Sequence, residues 1–316
     1  MHCEWEATFQ ISPGVSEPET INDYHFFLDE KNRTCVTVRF TTESYQERHP
    51  DRSNGSEYAE ETICNHHIEK IRNLLLIRMI YQEYFQPINI VISKEPFLLN
   101  REELKQSGAK LTRPVFLFSE QATNSVDKSN RLASALAFYN QRVHFEAKED
   151  AVLRVSKWLE FCESTSGDVE RFRILWSAFN TLFTVYADFR GKSEKKEKEK
   201  IKLSIGGLIS PNEARDLINQ ADQKKTIDSL ISFNIVSDYG DAFSENLNTD
   251  AKSPNPDYLL VLKKAILCIY GIRNEIFHDG PRVDDIEQKA AVAINLLSPV
   301  TKKCLHKMAT TDMGQD

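Results

Sequence analysis

The longest apolar segment of the chain, Tyr258 to His278, constrains the fold more than any other feature of the sequence. Its apolar residues are distributed around most of the circumference of a helix. A helix of this kind normally lies at the centre of a bundle or at an interface. Asp257 is placed to cap its first turn, and Gly280 followed by Pro281 predicts its end. The sequence therefore predicts a helical region built around this segment.

The hydrophobic pattern divides the chain into two regions. The first contains four segments typical of strands, "CEWEATFQIS", "RTCVTVRFTTE", "PINIVIS" and "PVFLFSE", and a turn-rich loop at 49–57. Residues 58–85 between them predict a helix. Its recurring face consists of Ile63, His67, Leu74, Leu75, Arg78 and Tyr81. The segment "LAFYNQRVHFEA" is compatible with a strand or a helix, and we expect His144 within it to be structural.

Helical spacing prevails from residue 149 onward. We expect Trp158 and Trp176 to anchor the packing of these helices, and Pro299 falls inside the last one. The predicted fold class is α+β. Residues 1–148 form a mixed α/β domain with a regulatory or sensing role, and residues 149–316 form an all-α domain.

Charge limits how this chain can bind nucleic acid. The formal net charge of the 316 residues is −7, so contact with a phosphate backbone has to come from a local basic patch. The segment 190–202, "RGKSEKKEKEKIK", has seven basic residues and three acidic ones. It is either a solvated link between helices or a phosphate contact. In the second case the candidate RNA-binding residues are Lys192, Lys195, Lys196 and Lys198.

Several classes of protein and site lack their sequence signals. The six cysteines include no C-x-x-C pair, and no segment has the pattern of a secretory signal or of a membrane span. We therefore expect a cytoplasmic protein with reduced cysteines. Cys64 and His67 have a spacing compatible with metal ligation, but no second pair accompanies them, so no metal site is predicted. Without a phosphate-binding glycine loop, we expect no cofactor.

The end of the apolar helix is unexpectedly polar. Asn274 and His278 are four residues apart and share a helical face, and Arg273 lies about 140° of rotation from His278, within reach of a long side chain. The helix dipole favours a protonated imidazole in the last turn. The three residues either complete a helix end, with Arg273 paired to Asp279 or Asp284, or form a group that binds and processes phosphate.

A resemblance to a known family favours the second interpretation. The segment "IRNEIFH" resembles the R-(polar)-x-x-x-H signature of the HEPN superfamily of all-α domains. The segment "RFRILWSAFNTLFTVYADF" resembles the first long helix of the Apea-like branch, with Trp176 and Leu182 at its aromatic and aliphatic positions. The order is similar too: a long helix, a charged linker, two shorter helices, the motif helix and a final helix. The resemblance covers roughly residues 150–310.

The resemblance implies a metal-independent endoribonuclease in which Arg273, Asn274 and His278 form the catalytic group. The 2′-OH of RNA attacks the adjacent phosphate, His278 acts as base or acid, Arg273 stabilises charge, and Asn274 orients the histidine or the phosphate. One histidine does not fill both proton roles at once. We therefore expect a homodimer whose two helix ends share one cleft, with part of the apolar helix at the dimer seam.

The family also implies a biological setting, namely a toxin or anti-phage effector whose N-terminal domain responds to an inhibitor or a trigger. Two hypotheses compete with an RNA-cutting enzyme. The domain could have kept the HEPN fold as a non-catalytic module that binds a ligand or a protein, or the chain could be an unrelated helical adaptor whose Arg–His pair is a coincidence.

Overall fold

The computed structural model describes residues 2–21, 24–43, 63–83, 85–107, 148–236, 240–278 and 283–310. The predicted loop at 49–57, the predicted strand at 114–120, the segment around His144 and the predicted helix stop at Gly280 and Pro281 lie outside the described residues. Contacts divide the chain into two compact units. One comprises Met1–Leu75 and Gln86–Arg142, and the other comprises Leu76–Phe85 and Val143–Asp316.

The first unit contains a five-stranded antiparallel sheet in the order β2-β3-β4-β1-β5. Its strands are β1 (His2–Ser12), β2 (Glu19–Ile21), β3 (Tyr24–Leu28), β4 (Thr34–Glu43) and β5 (Asn89–Leu98). Three of the strands predicted from the sequence, β1, β4 and β5, are thereby confirmed.

Strand β1 shows why the sequence specifies this sheet. Its odd-numbered residues from Cys3 to Ile11 are buried, whereas the residues between them are exposed or half-buried. Alternate side chains of a strand point to opposite faces, so this pattern buries one face of the sheet. In the register, Trp5 lies opposite Phe40 and Phe9 opposite Val36. Aromatic and β-branched partners of this kind stabilise antiparallel pairs.

The helix predicted over 58–85 is present in its described part. A π-helical turn (Ile63–Ile68) precedes α1 (Glu69–Gln82), and a short helix α2 (Arg101–Gln106) follows β5. The buried residues of α1 are Ile71, Arg72, Leu75, Leu76, Met79 and Ile80. Of the recurring residues read from the sequence, Leu75 is buried, and His67, Leu74 and Arg78 are half-buried.

The second unit is helical. Its elements are α3 (Lys148–Ser164), α4 (Asp168–Phe189), α5 (Glu197–Leu208), α6 (Pro211–Ile218), α7 (Ala221–Ser232), α8 (Phe243–Ala251), α9 (Tyr258–His278) and α10 (Val283–Thr310). The α+β fold class is confirmed. Two details differ from the sequence analysis. The link after α4 is shorter than predicted because helix begins again at Glu197, and the described residues between α4 and α9 form four short helices, not two.

Helix α9 occupies the centre of this unit, as its apolar sequence predicted. It contacts α4, α5, α6, α7, α8 and α10. Its middle is buried without interruption from Ala265 to Ile269. The middle of the apolar helix is therefore covered within one chain. The expected dimer seam stays a prediction. Its most exposed apolar residues lie near the two ends, Leu260 at 40% and Phe277 at 36%.

The cap predicted at Asp257 is formed, and a second helix start is capped at Ser210. Asp257 Oδ1 accepts hydrogen bonds of 3.1 Å from the backbone N–H groups of Leu259 and Leu260. At α6, the Ser210 hydroxyl accepts from the Glu213 N–H, and the Glu213 carboxylate accepts from the Ser210 N–H, which completes a capping box.

Close packing explains the one glycine in α9. A Cβ on Gly271 would lie 2.4 Å from Ile235 Cγ2 and 3.2 Å from Phe243 Cδ2. The missing side chain therefore lets the start of α8 and the segment before it approach the helix.

The remaining expectations for the core have mixed outcomes. Trp176 is 2% exposed, as predicted for a core anchor, whereas Trp158 is only half-buried. Five buried cysteines form no disulfide with one another: Cys3, Cys35, Cys162, Cys268 and Cys304. No helix in the described ranges combines the length and the low charge that a membrane crossing requires.

Candidate functional site

The C-terminal turns of α9 bring together two of the three residues singled out in the sequence. Arg273 and Asn274 are both half-buried, and Arg273 Nη1 donates a 2.9 Å hydrogen bond to Asn274 Oδ1. The third residue, His278, is the last residue of α9, and its side chain lies outside the described part of the structure. The described geometry therefore bears on the arginine and the carboxamide.

The guanidinium of Arg273 is only partly satisfied. Its Nε is buried and has no hydrogen-bond partner among the described residues, and no described carboxylate forms an ion pair with it. An unpaired buried donor costs about 1–3 kcal/mol. The neighbouring Glu275 is different, because it pairs with Lys289 at 2.8 Å. The predicted alternative partners of Arg273, Asp279 and Asp284, fall outside the described side chains.

Two guanidinium groups from different helices lie against the ring of Phe277. The Cζ atom of Arg273 lies 5.1 Å from the ring centroid, and the Cζ atom of Arg173, from the second turn of α4, lies 5.8 Å from it. Both distances are typical of cation–π contacts. The aromatic ring therefore gathers two positive charges at one end of the helical unit.

Tyr270 and Trp176 close the inner side of this cluster. Their ring centroids are 6.0 Å apart. Burial raises the pKa of Tyr270, the Glu197 carboxylate adds to that rise, and Asn274 and the charge of Arg273 act against it. The Trp176 Nε1 is buried without a hydrogen-bond partner among the described residues. Tyr270 thus connects the catalytic candidates on α9 to the first residue of α5.

Glu197 lies inside the basic segment 190–202, between the candidate residues Lys196 and Lys198. Lys198 Nζ pairs with Asp241 Oδ2 at 2.6 Å and lies 5.0 Å from the Phe243 centroid, so it also has a packing role. Lys195 Nζ lies 3.4 Å from the Glu199 carboxylate. Lys192 and Lys196 are exposed and form no ion pair with another described residue. Binding of RNA by these lysines stays a prediction.

Three members of the cluster escaped the sequence analysis as site residues. Tyr270 and Phe277 lie three residues before and four after Arg273, so helical spacing could have placed them beside it. Arg173 had no local signal, since its proximity depends on how α4 packs against α9.

The motif "CNHHIE" has a structural environment in its described part. Tyr24 Oη and His67 Nδ1 share a hydrogen bond of 3.1 Å, and the His67 ring lies 5.5 Å from that of Phe40. The described residues contain no group of three or more histidine, cysteine, aspartate or glutamate side chains placed to hold a metal ion. His67 thus packs against the sheet, in line with a structural role.

No protein-family model matches the chain, and searches of curated proteins and of solved structures give no significant match.

Proposed function

We propose that this chain is a HEPN-type, metal-independent endoribonuclease whose catalytic group consists of Arg273, Asn274 and His278. The observation that carries the proposal is the state of Arg273. It is a half-buried guanidinium at the end of the central helix, with a buried unpaired Nε and no ion-pair partner among the described residues. A structural arginine normally recovers the free energy of its burial by pairing. An arginine reserved for phosphate does not.

Each group has a definite part in the proposed reaction. The 2′-oxygen bonds to phosphorus while the bond from phosphorus to the 5′-oxygen breaks. One imidazole takes the 2′-OH proton, and a protonated imidazole donates a proton to the leaving 5′-oxygen. Arg273 stabilises the charge that develops on the phosphoryl oxygens, and Asn274 fixes the guanidinium through its 2.9 Å hydrogen bond. The products are a 2′,3′-cyclic phosphate and a 5′-hydroxyl.

The direct test is digestion of RNA in the presence of EDTA. The wild-type protein should give fragments that end in 2′,3′-cyclic phosphate, and His278→Ala should lose this activity at an unchanged melting temperature. The matched control is His25→Ala, because His25 is an exposed histidine of β3 in the other unit. Equal cutting by wild type and His278→Ala contradicts the mechanism. Absence of cutting of all RNAs, together with ligand binding by the protein, favours the non-catalytic module.

The need for two proton-transfer groups supports a two-fold dimer as the active form. Mixing subunits tests it. If both histidines of one shared cleft are required, dimers re-formed from equal amounts of wild-type and His278→Ala chains should retain about one quarter of wild-type activity. Independent active sites predict about one half. A mass in light scattering that remains monomeric under assay conditions excludes the shared cleft.

The biological setting that we propose is a toxin or anti-phage effector under the control of residues 1–148. Cells that express the wild-type chain should then stop growing and accumulate cut RNA, whereas cells that express His278→Ala grow normally. Equal growth with and without the active chain would contradict the toxin interpretation.

A further inference from the structure

We propose that Arg173 of α4 is a second phosphate-binding cation of this site, and that Phe277 holds it beside Arg273 to bind the backbone of single-stranded RNA. This inference rests on the proposed function for the identity of its ligand. Its evidence is separate, because it comes from the packing of α4 against the end of α9.

Arg173 and Arg273 lie against the same aromatic ring, that of Phe277. Two guanidinium carbons lie within cation–π range of one phenylalanine ring, at 5.8 Å for Arg173 and 5.1 Å for Arg273. The two positive charges are therefore no farther apart than these two distances combined. Contacts further along the same helices fix this arrangement, since Trp176, one turn after Arg173, packs on Tyr270.

The described carboxylates neutralise the charges of Arg173 and Arg273 poorly. Arg173 Nη1 lies 3.9 Å from Glu170 Oε1, which is a long and solvent-exposed contact. Arg273 pairs with no described carboxylate and donates to a neutral amide. Like charges repel each other, and exposed ion pairs of such length contribute little free energy. An anion bound by both guanidiniums offsets this repulsion.

The pair of arginines at Phe277 is accessible from solvent. The Arg173 side chain is 47% exposed, and Phe277 is 36% exposed, so the cluster opens to solvent. Guanidinium groups bind phosphate oxygens through paired N–H donors, which makes two adjacent arginines suitable for consecutive or bifurcated phosphate contacts. The chain as a whole is acidic, so this local pair is where a polyanion gains contact.

The backbone of single-stranded RNA is the ligand that we infer for this pair of cations. A second cation next to Arg273 adds affinity for the strand on one side of the cleaved phosphate. Backbone contacts of this kind are independent of base sequence. Arg173 is therefore a substrate-binding residue, which raises affinity for RNA and aligns the strand at Arg273.

The test uses binding that does not depend on cutting. A fluorescein-labelled, mixed-sequence 2′-O-methyl RNA has the same phosphate charges and no free 2′-OH, so the wild-type protein cannot cut it by the proposed route. Fluorescence anisotropy over a salt series should show that Arg173→Ala binds about tenfold more weakly. The slope of log K against log salt should fall by about 0.7 for the lost phosphate contact.

Arg171→Ala is the matched control, because it removes the same charge from the same helix at a residue paired to Asp168 at 3.6 Å. Its affinity should stay near that of wild type. Arg173→Lys keeps the charge without the paired donors and should fall between Arg173→Ala and wild type. Phe277→Leu should weaken binding at a nearly unchanged fold, because both guanidiniums lose their common support.

The outcomes separate this inference from the proposed function. Equal effects of Arg173→Ala and Arg171→Ala overturn the second-cation role, whether or not RNA is cut. A specific effect of Arg173→Ala on a protein that cuts no RNA supports the RNA contact and overturns the nuclease. No binding by the wild-type protein, or displacement of RNA by polyglutamate at equal charge, overturns the inference.

Discussion

The two ends of helix α9 are built for different purposes. At the start, the Asp257 carboxylate caps the backbone, and Lys264 pairs with Asp250 and donates to the Asn246 carbonyl. At the end, a buried arginine nitrogen has no described partner, and Phe277 holds two like charges. Lys264 at the start has a carboxylate as ion-pair partner, whereas Arg273 at the end has none among the described residues and lies beside an exposed ring. The second arrangement costs stability, which is typical of functional sites.

The largest predicted effect separates activity from stability at the second end. Arg273→Met should reduce RNA cleavage at least about 100-fold, because a preorganised cation is lost from the transition state. It should leave the melting temperature unchanged or raise it, because an unpaired buried donor and a charge repulsion disappear. Lys264→Met, which breaks the ion pair with Asp250, should do the opposite, with normal activity and a lower melting temperature. A marked loss of stability in Arg273→Met would show that Arg273 is structural.

The next effect concerns the packing between the two ends. Gly271→Ala should lower the free energy of unfolding by about 1–3 kcal/mol, because the new methyl group would meet Ile235 at 2.4 Å. Denaturation in urea measures this change. Ala265→Gly, in the same buried helix, is a control for helix propensity and should cost about 1 kcal/mol without steric conflict. A fully stable Gly271→Ala would indicate that the segment before α8 yields easily.

A smaller effect is expected at the capped end. Asp257→Ala should cost about 1 kcal/mol of stability, since two N–H groups lose their acceptor, while Asp257→Asn keeps most of the cap. Cleavage of RNA should be normal in both variants. If Asp257→Ala inactivated the protein as strongly as Arg273→Met, the distinction between a structural and a functional end would fail.

The smallest effect concerns acid, and it tests the cap of α6, a helix that contacts α9. Burial raises the pKa of Glu213, but hydrogen bonds from Ser210 and the charge of Lys307 outweigh it and lower the pKa to about 2, from 4.5. The carboxylate therefore stabilises the fold fully above about pH 4.5, and this contribution is lost as the pH falls toward 2. Urea denaturation between pH 7 and pH 3 should show a shallower loss of stability in Glu213→Gln than in wild type. Identical pH profiles would contradict the assignment.

The elements that local pattern determines could be predicted from the sequence. Strand β1 alternates strictly, the caps at Asp257 and Ser210 are read from adjacent residues, and α9 is apolar enough to be central. The predicted number of short helices after α4 was wrong because charged, helix-forming residues around Glu197 resemble a solvated link.

The candidate site divides in the same way. Arg273 and Asn274 were found because they are neighbours within one motif, and the structure joins them by a hydrogen bond. The role of Tyr270 could have been inferred from helical spacing. Arg173 and Glu197 could not, since each reaches the site from another helix and only packing brings them there.

The buried cysteines have a practical consequence for measuring how this protein opens. Cys162, Cys268 and Cys304 lie in α3, α9 and α10, and burial raises the pKa of the first two to about 11 and about 12. A thiol reagent therefore reacts with them only after the surrounding helix has separated from its neighbours. Their labelling rates under native conditions therefore measure how often each of the three helices separates from its neighbours. Equal rates mean that the helical unit opens as a whole, and unequal rates show which helix detaches first.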